Sequence, residues 1–310
     1  MYKGKKVCIV VPAYNEGELV LRVIDTTPDL VDHIVVIDDA SSDNTYEIAK
    51  RSKDQRVTII KHEKNQGVGG AIITGHRKML EMGDDISVVM AGDAQMDPAY
   101  LPKLLDPIVE EGYWFTKGNR FLEHDSTAGM PGYRVFGNIV LTFMTKCASG
   151  YWDIFDPQNG YTAITRHALE ILDLNSIERG YSFENDLLIN LNIFNVRVKD
   201  VSIPARYGDE QSHIKLHKVI PHLLLALTRG YFRRINQKYV LRSFSPIAIF
   251  LLAGSLLFIW GLVFGIIVVF ATLGPATAST GTVMLAVLPL LVGFELLLQA
   301  IVLDINQTPR

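Results

Sequence analysis

Short apolar runs that stop abruptly at polar clusters dominate the first hundred residues. Residues 6–11, 33–37, 57–60 and 86–90 are such runs, with little polar alternation inside them. This is the pattern of strands buried on both faces. A turn follows each of the first three, and then apolar residues return at helical spacing. Leu19, Val20, Val23 and Ile24 follow the first run, residues 44–51 follow the second, and a helix reaching about residue 82 follows the third. Repeated strand–loop–helix units predict an α/β fold, Rossmann-like, with a mostly parallel sheet covered on both faces.

Each polar cluster falls just after a strand. They are Pro12-Ala13-Tyr14-Asn15-Glu16-Gly17, Asp38-Asp39-Ala40-Ser41-Ser42-Asp43, Asn65-Gln66-Gly67-Val68-Gly69-Gly70 and Ala91-Gly92-Asp93-Ala94-Gln95-Met96-Asp97-Pro98. Open sheets bind ligands on that carboxyl edge. Small residues at 91, 92 and 94 leave room beside Asp93 for a hard cation holding a diphosphate, since such cations take oxygen ligands. From this stretch alone, a strand end with a capping Asp is the better reading. The glycine loop follows the third strand and lacks the dinucleotide fingerprint, and no phosphate loop ending in Gly-Lys-Ser/Thr is present.

The next hundred residues are less regular. Residues 115–121 read as a strand and turn, 132–149 as a helix carrying Arg134, and 156–161 as a turn before a short strand. Residues 183–194 form an apolar helix opened by Phe183-Glu184-Asn185-Asp186, 196–203 an edge strand, and 206–213 a polar loop.

The pattern changes again at residue 214. Leu216, Val219, Ile220, Leu223, Leu224, Leu227 and Tyr231 recur at helical spacing among cations, as in helices that lie in a membrane interface; Pro221 is a candidate kink. Residues 247–270 then run without a charge, which exceeds the roughly 20 residues needed to span a bilayer. Residues 283–303 form a second span, weakened by Pro289 and Glu295. Two spans with a short uncharged loop predict a hairpin. Charge orients it. Residues 1–213 hold 22 Lys/Arg against 31 Asp/Glu, a formal −9, whereas residues 214–245 hold seven cations and no acid. The positive-inside rule then places the body and the C-terminus in the cytoplasm. Glu295 needs a polar partner, an interface to snorkel to, or an oligomer contact. The expected organisation is a body at 1–213, basic interfacial helices at 214–245, a transmembrane hairpin at 246–303 and a short tail at 304–310. The acidic body argues against nucleic acid as a partner. Cys8 and Cys147, in a strand-like and a helical run, are expected as buried free thiols. Lys3, Lys5 and Lys6 precede too short an apolar run for a signal peptide.

In order along the chain stand Val11-Pro12-Ala13-Tyr14-Asn15-Glu16, then Val36-Ile37-Asp38-Asp39-Ala40-Ser41-Ser42-Asp43-Asn44-Thr45, then Asn65-Gln66-Gly67-Val68-Gly69, then Gly92-Asp93-Ala94-Gln95-Met96-Asp97-Pro98, then Gly118-Asn119-Arg120-Phe121. This ordered set resembles glycosyltransferase family 2, the inverting nucleotide-sugar glycosyltransferases of GT-A fold. Within it, the set is most similar to the polyprenyl-phosphate hexosyltransferases typified by dolichyl-phosphate mannose synthase. The resemblance covers about residues 5–213, and it implies nucleotide contacts from Pro12, Tyr14, Glu16, Asp38 and Asp39. It implies that Asp93 and Gln95 hold Mg2+ or Mn2+ with the donor diphosphate. The family's first metal aspartate is Ala91 here, so diphosphate oxygens and waters would have to complete the shell. It further implies that Arg120 and Arg134 hold the acceptor phosphate and Arg206 the donor diphosphate, with His213 and Lys215 as weaker additions.

The implied reaction is attack of a polyprenyl (dolichyl or undecaprenyl) phosphate oxygen on the anomeric carbon of GDP-mannose or UDP-glucose, with inversion. A phosphate monoester is already a dianionic nucleophile near neutral pH, its second pKa being about 6. A hydroxyl acceptor on a glycolipid or polysaccharide would require a base, for which Asp186 is the candidate. A third reading, prompted by Ala91, is a catalytically silent membrane scaffold. The transmembrane hairpin is also a candidate surface for homo-oligomerisation.

Overall fold

A computed structural model describes residues 1–121, 132–204, 216–273 and 277–309, excepting the side chains of 132–136, 138 and 216–220. Its contacts divide the chain into two compact units, residues 1–231 with 309–310, and residues 232–308.

The first unit is built on a seven-stranded mixed sheet. β1 (Val7–Ala13), β2 (His33–Asp38), β3 (Val57–Lys61) and β4 (Ile86–Val89) are the four apolar runs. β5 (Phe115–Asn119), β6 (Thr162–Thr165) and β7 (Val198–Ser202) complete it in the order β3-β2-β1-β4-β6-β5-β7. β1 to β4 are mutually parallel. β6 runs antiparallel to β4 and β5, and β7 pairs parallel with β5 at the sheet edge. The sheet is thus mostly parallel, as expected, with one inverted strand, β6.

Both faces of β1 are buried, which is why its sequence does not alternate. Cys8 and Val10 enter one core with Val35, Ile37 and Val89, while Val7, Ile9 and Val11 enter the other with Ile34, Val36 and Val88. On the first face lies α3 (Val68–Met82). A side chain at its Gly75 would collide with Val10, so the glycine permits close helix–sheet contact. α1 (Leu19–Thr26), α2 (Thr45–Ala49) and α4 (Leu101–Glu111) supply residues such as Val20, Ile48 and Leu104 to the second core. α5 (Gly132–Ser149) and α7 (Phe183–Ile193) pack together, with Ala148, Ile189 and Ile193 sharing a smaller core with Leu223 and Leu227. The short α6 (Arg166–Ile171) follows β6. Both cysteines are free; Cys8 is buried as expected and Cys147 only partly so.

α8 (Leu216–Arg234) runs through Pro221 into a π-helical segment, Ile235–Leu241. In the second unit, α9 (Pro246–Ala271) and α10 (Thr280–Asn306) are each long and apolar enough to cross a membrane. α10 continues through Pro289. Glu295 accepts a hydrogen bond from Gln299 one turn later (3.0 Å). Contact positions recur every seven residues: Ile247, Gly254 and Gly261 on α9, and Ala286, Gly293 and Ala300 on α10. A seven-residue repeat of small residues is the packing of membrane helices that approach closely and supercoil left-handedly. At one end of the hairpin the buried Arg234 donates two hydrogen bonds to Asp304, at 2.6 and 3.0 Å, and Tyr239 donates a third. A charge at this depth needs such pairing.

Candidate active site

The chain reverses direction across the sheet between β1 and β4, since β2 and β3 lie on one side of β1 and β4 on the other. That switch point leaves a crevice at the carboxyl ends of the strands. Three loops meet there, after β1, β2 and β4. Each contains a non-glycine residue in the left-handed region: Asn15 (φ 58°), Ala40 (φ 60°) and Ala94 (φ 57°). Such conformations cost of order 1–3 kcal/mol each and gather at functional sites.

Hydrogen bonds tie the first two loops together. Asn15 Oδ1 accepts from Ser42 N (2.8 Å), Asn15 N donates to Ser41 Oγ (3.0 Å), and Thr45 Oγ1 accepts from the amides of Glu16 and Gly17 (2.9 Å each). The third loop joins through Gly92, whose amide donates to Pro12 O (3.1 Å). A side chain at Gly92 would come within 3.1 Å of Glu16 Cγ and Ala13 Cβ. This close approach sets Glu16 against the loop that carries Asp93. Pro12 is buried behind it, and Tyr14 stands exposed at its rim.

The adjacent aspartates at the end of β2 do different things, because successive strand residues face opposite sides. Asp39 is a clamp. Its carboxylate contacts His62 Nδ1 (2.7 Å) and accepts the amides of Gln66 (2.8 Å) and Gly67 (2.9 Å). The glycine loop is thus pinned to Asp39 and serves as a tight turn into α3. Asp38 is 1% exposed; one of its oxygens accepts Ser41 N, and the other is buried without a hydrogen-bond partner among the described residues. A buried unpaired carboxylate oxygen costs about 1–3 kcal/mol or more, and a hydroxyl or N–H of a bound ligand would satisfy it.

An open cleft is lined by Asp93, Gln95, Asp97, Arg120, Asn159 and Tyr161, among others. Asp93 accepts Gln95 N (3.0 Å), and Asp97 caps the following helical turn at Ala99 N (2.9 Å). Among the described residues no three His, Cys, Asp or Glu side chains converge as a complete metal site. Two carboxylates and an amide facing one cleft nevertheless suit a hard divalent cation, with ligand oxygens filling the remaining positions. Asp93 and Gln95 would hold it, as the sequence implied; the methyl of Ala91 offers no donor.

Arg120 enters the same cleft from the end of β5. Its Nε and Nη2 donate to the two oxygens of Asp156, at 2.8 and 3.1 Å, and its backbone amide donates at 3.2 Å. Asp156 is 1% exposed. The sequence marks it only as part of a turn at 156–161. Beneath it lies a second group that the sequence did not disclose. Lys117 is fully buried and donates to Asn159 O. Burial pushes its ammonium down from the usual lysine range, opposed by the neighbouring Asp156, Glu184 and Asp200 carboxylates. Burial likewise raises Glu184, and raises Asp200 to about 6, the latter opposed by hydrogen bonds from Phe155 N and Asn119.

Asp186 Oδ2 accepts Glu178 N (3.0 Å) and Asn190 Nδ2 (3.3 Å), and the residue is not among those that line the cleft. Arg134 lies in α5 with its side chain outside the described atoms. Arg206, His213 and Lys215 fall outside the described residues.

Comparison with known proteins places this crevice in context. The model of the family described as "Glycosyl transferase family 2" matches residues 8–172. The UDP-N-acetylglucosamine–dolichyl-phosphate N-acetylglucosaminyltransferase of Methanococcus voltae is 32% identical over 217 residues, covering 64% of this chain and 86% of its own length. The dolichol-phosphate mannosyltransferase of Pyrococcus furiosus is 31% identical over 216 residues, covering 66% of this chain and 56% of its own. Among solved structures, the glucosyl-3-phosphoglycerate synthase of Mycobacterium tuberculosis, in complex with Mn2+, UDP and phosphoglyceric acid, superposes with a TM-score of 0.57 at 22% identity. It covers 74% of this chain and 78% of its own.

Proposed function

The chain belongs to glycosyltransferase family 2, and from that premise we propose that it transfers a hexose from a nucleotide-sugar to a polyprenyl phosphate, with inversion, on the cytoplasmic side of the membrane that its apolar hairpin crosses. The observation that carries the acceptor is Arg120: a guanidinium oriented by buried Asp156, in the same cleft as Asp93 and Gln95. Arginine grips phosphate with parallel donors and stays charged at every relevant pH.

In this reading Tyr14, Glu16 and the unpaired oxygen of Asp38 contact the nucleoside, backed by Pro12. Asp39 holds the loop that shapes the pocket. Asp93 and Gln95 present oxygen donors toward the diphosphate, and a Mg2+ or Mn2+ held there would neutralise charge developing on the leaving group. Arg120, assisted by Arg134, holds the acceptor phosphate dianion for in-line attack, while Arg206 steadies the donor diphosphate. A dianionic nucleophile needs no general base.

The test is transfer from labelled GDP-mannose, UDP-glucose and UDP-N-acetylglucosamine to undecaprenyl and dolichyl phosphate in detergent, with and without EDTA, beside Asp93→Ala. An acid-labile lipid-linked sugar from one donor, abolished by EDTA and by the substitution, is expected. Nucleotide binding without any transfer would refute the reading.

A further inference from the structure

The last stretch of the connection between α5 and β6 is buried, against the habit of loops, which run over the surface where water can satisfy their backbone. Asp156 and Tyr161 are each 1% exposed, Asn159 is 6% exposed, and Pro157 is covered as well. Protein groups must therefore satisfy this turn, and its bonds lead to both halves of the cleft.

On the acceptor side, Asp156 takes the Arg120 guanidinium in a two-point contact. On the cation side, the Tyr161 hydroxyl donates to Asp97 O (3.0 Å). Asp97 closes the loop that carries Asp93 and Gln95. Gly160 lies against the same loop, since a side chain there would stand 3.4 Å from Met96 Cε. The turn is also held to itself and to β5. Asn159 N donates to Asp156 O (3.3 Å), Tyr161 N to Asn159 Oδ1 (3.0 Å), and Gly118 N to Tyr161 O (2.8 Å). Buried Lys117 donates to Asn159 O from beneath. Asp200 Oδ2 accepts Phe155 N (2.8 Å) and Asn119 Nδ2 (2.7 Å) at the start of the turn. The cation loop needs such support, because Ala94 holds it in the left-handed region (φ 57°) and Ala91 contributes no oxygen donor.

We propose that residues 156–161 brace the cation loop against the acceptor arginine, with Tyr161 and Lys117 as positioning residues. The Tyr161 hydroxyl sets Asp93 and Gln95 for a divalent cation. Lys117 holds the turn from which both Tyr161 and Asp156 project. The inference rests on the cation and acceptor roles given above, and adds the residues that fix one relative to the other. Packing alone would need only a phenyl ring at 161 and an apolar chain at 117. The hydroxyl and the ammonium are the groups that reach the loop and the turn.

The experiment measures GDP and UDP binding to the full chain in detergent by calorimetry, with Mn2+ and with EDTA. It compares wild type, Tyr161→Phe, Lys117→Met and the double variant, and adds the KM for undecaprenyl phosphate. Tyr161→Phe keeps the buried ring and removes one hydroxyl. The gain in nucleotide affinity that Mn2+ brings should fall about tenfold in it, as when the supports of metal ligands are removed, while affinity in EDTA and the acceptor KM stay within about twofold. Lys117→Met should weaken the Mn2+ gain and raise the acceptor KM together. The double variant should lose no more of the Mn2+ gain than Lys117→Met alone, since both act through one turn. A hydroxyl that only stabilises the fold would lower the melting temperature of Tyr161→Phe and leave its Mn2+ gain as in wild type. That result would overturn the inference, whether or not Lys117→Met folds. Losses that add in the double variant would overturn the role of the turn. Wild type that binds neither nucleotide, or gains nothing from Mn2+, would overturn the donor and cation reading itself.

Discussion

Arg120 and Asp156 form a two-point pair, Nε to one carboxylate oxygen at 2.8 Å and Nη2 to the other at 3.1 Å, with the carboxylate buried and the guanidinium partly open to the cleft. The pair fixes the plane of the guanidinium, so its remaining donors face a preset direction. Asp156→Asn keeps the shape and removes the charge. It should lower kcat/KM for the acceptor by about 10- to 100-fold, since a charge-assisted, bidentate contact contributes roughly 1.5–3 kcal/mol. Donor binding, followed by calorimetry with the nucleoside diphosphate, should stay within about twofold. Arg120→Lys should do no better than Asp156→Asn, because an ammonium cannot make the paired contact.

Asp38 and Asp39 are adjacent and separable by experiment. Asp39→Asn breaks the clamp on His62, Gln66 and Gly67, and should destabilise the first unit by about 1–3 kcal/mol, read as a lower melting temperature in detergent. Asp38→Asn should leave the melting temperature unchanged or higher, because it removes a buried charge with an unpaired oxygen, yet weaken nucleotide binding by about tenfold. The opposite pairing of effects would reassign the two residues.

That pair also marks what was legible in the sequence. The apolar runs at 6–11 and 33–37, and the polar clusters after them, announce the sheet edge and its loops. Which aspartate points into the crevice depends on strand phase at the last residue, and a motif alone leaves that open. The inverted strand β6 is four residues long and polar at both ends, so nothing in Thr162-Ala163-Ile164-Thr165 reveals that it inserts between β4 and β5. Lys117 sits in a short run flanked by Thr116 and Gly118, where a lysine reads as surface; the carboxylates that act on it, Asp156, Glu184 and Asp200, are distant in sequence. The two long apolar helices, α9 and α10, lie where the uncharged runs at 247–270 and 283–303 predict them.

Asp200 gives a pH signature. Burial raises its folded-state pKa to about 6, above the unfolded value of about 4, so the folded chain binds the extra proton between those limits. Stability from this group is therefore present at low pH and falls as pH rises from about 4 to about 6, then levels off. Asp200→Asn mimics the protonated form. Its melting-temperature advantage over wild type should grow through that window and stay constant above it. A difference independent of pH would contradict the burial argument.

The hairpin depends on contacts that admit no side chain. A Cβ at Gly261 would come within 2.5 Å of Leu290 N and 2.7 Å of Ala286 O. Gly261→Leu should force α9 and α10 apart and lower detergent-extracted yield and thermal stability. Gly265→Leu, where the nearest atom is Ala286 Cβ at 3.7 Å, should be tolerated.

The most direct test of the central claim sets two acceptors side by side. Undecaprenyl phosphate and undecaprenol differ only in the group that Arg120 is proposed to hold, and each would be offered with a labelled nucleotide-sugar and Mg2+ or Mn2+. Transfer to the phosphate alone, lost in Arg120→Ala while Asp186→Asn retains activity, is the predicted result. Transfer to the hydroxyl acceptor, abolished by Asp186→Asn and indifferent to Arg120→Ala, would contradict it.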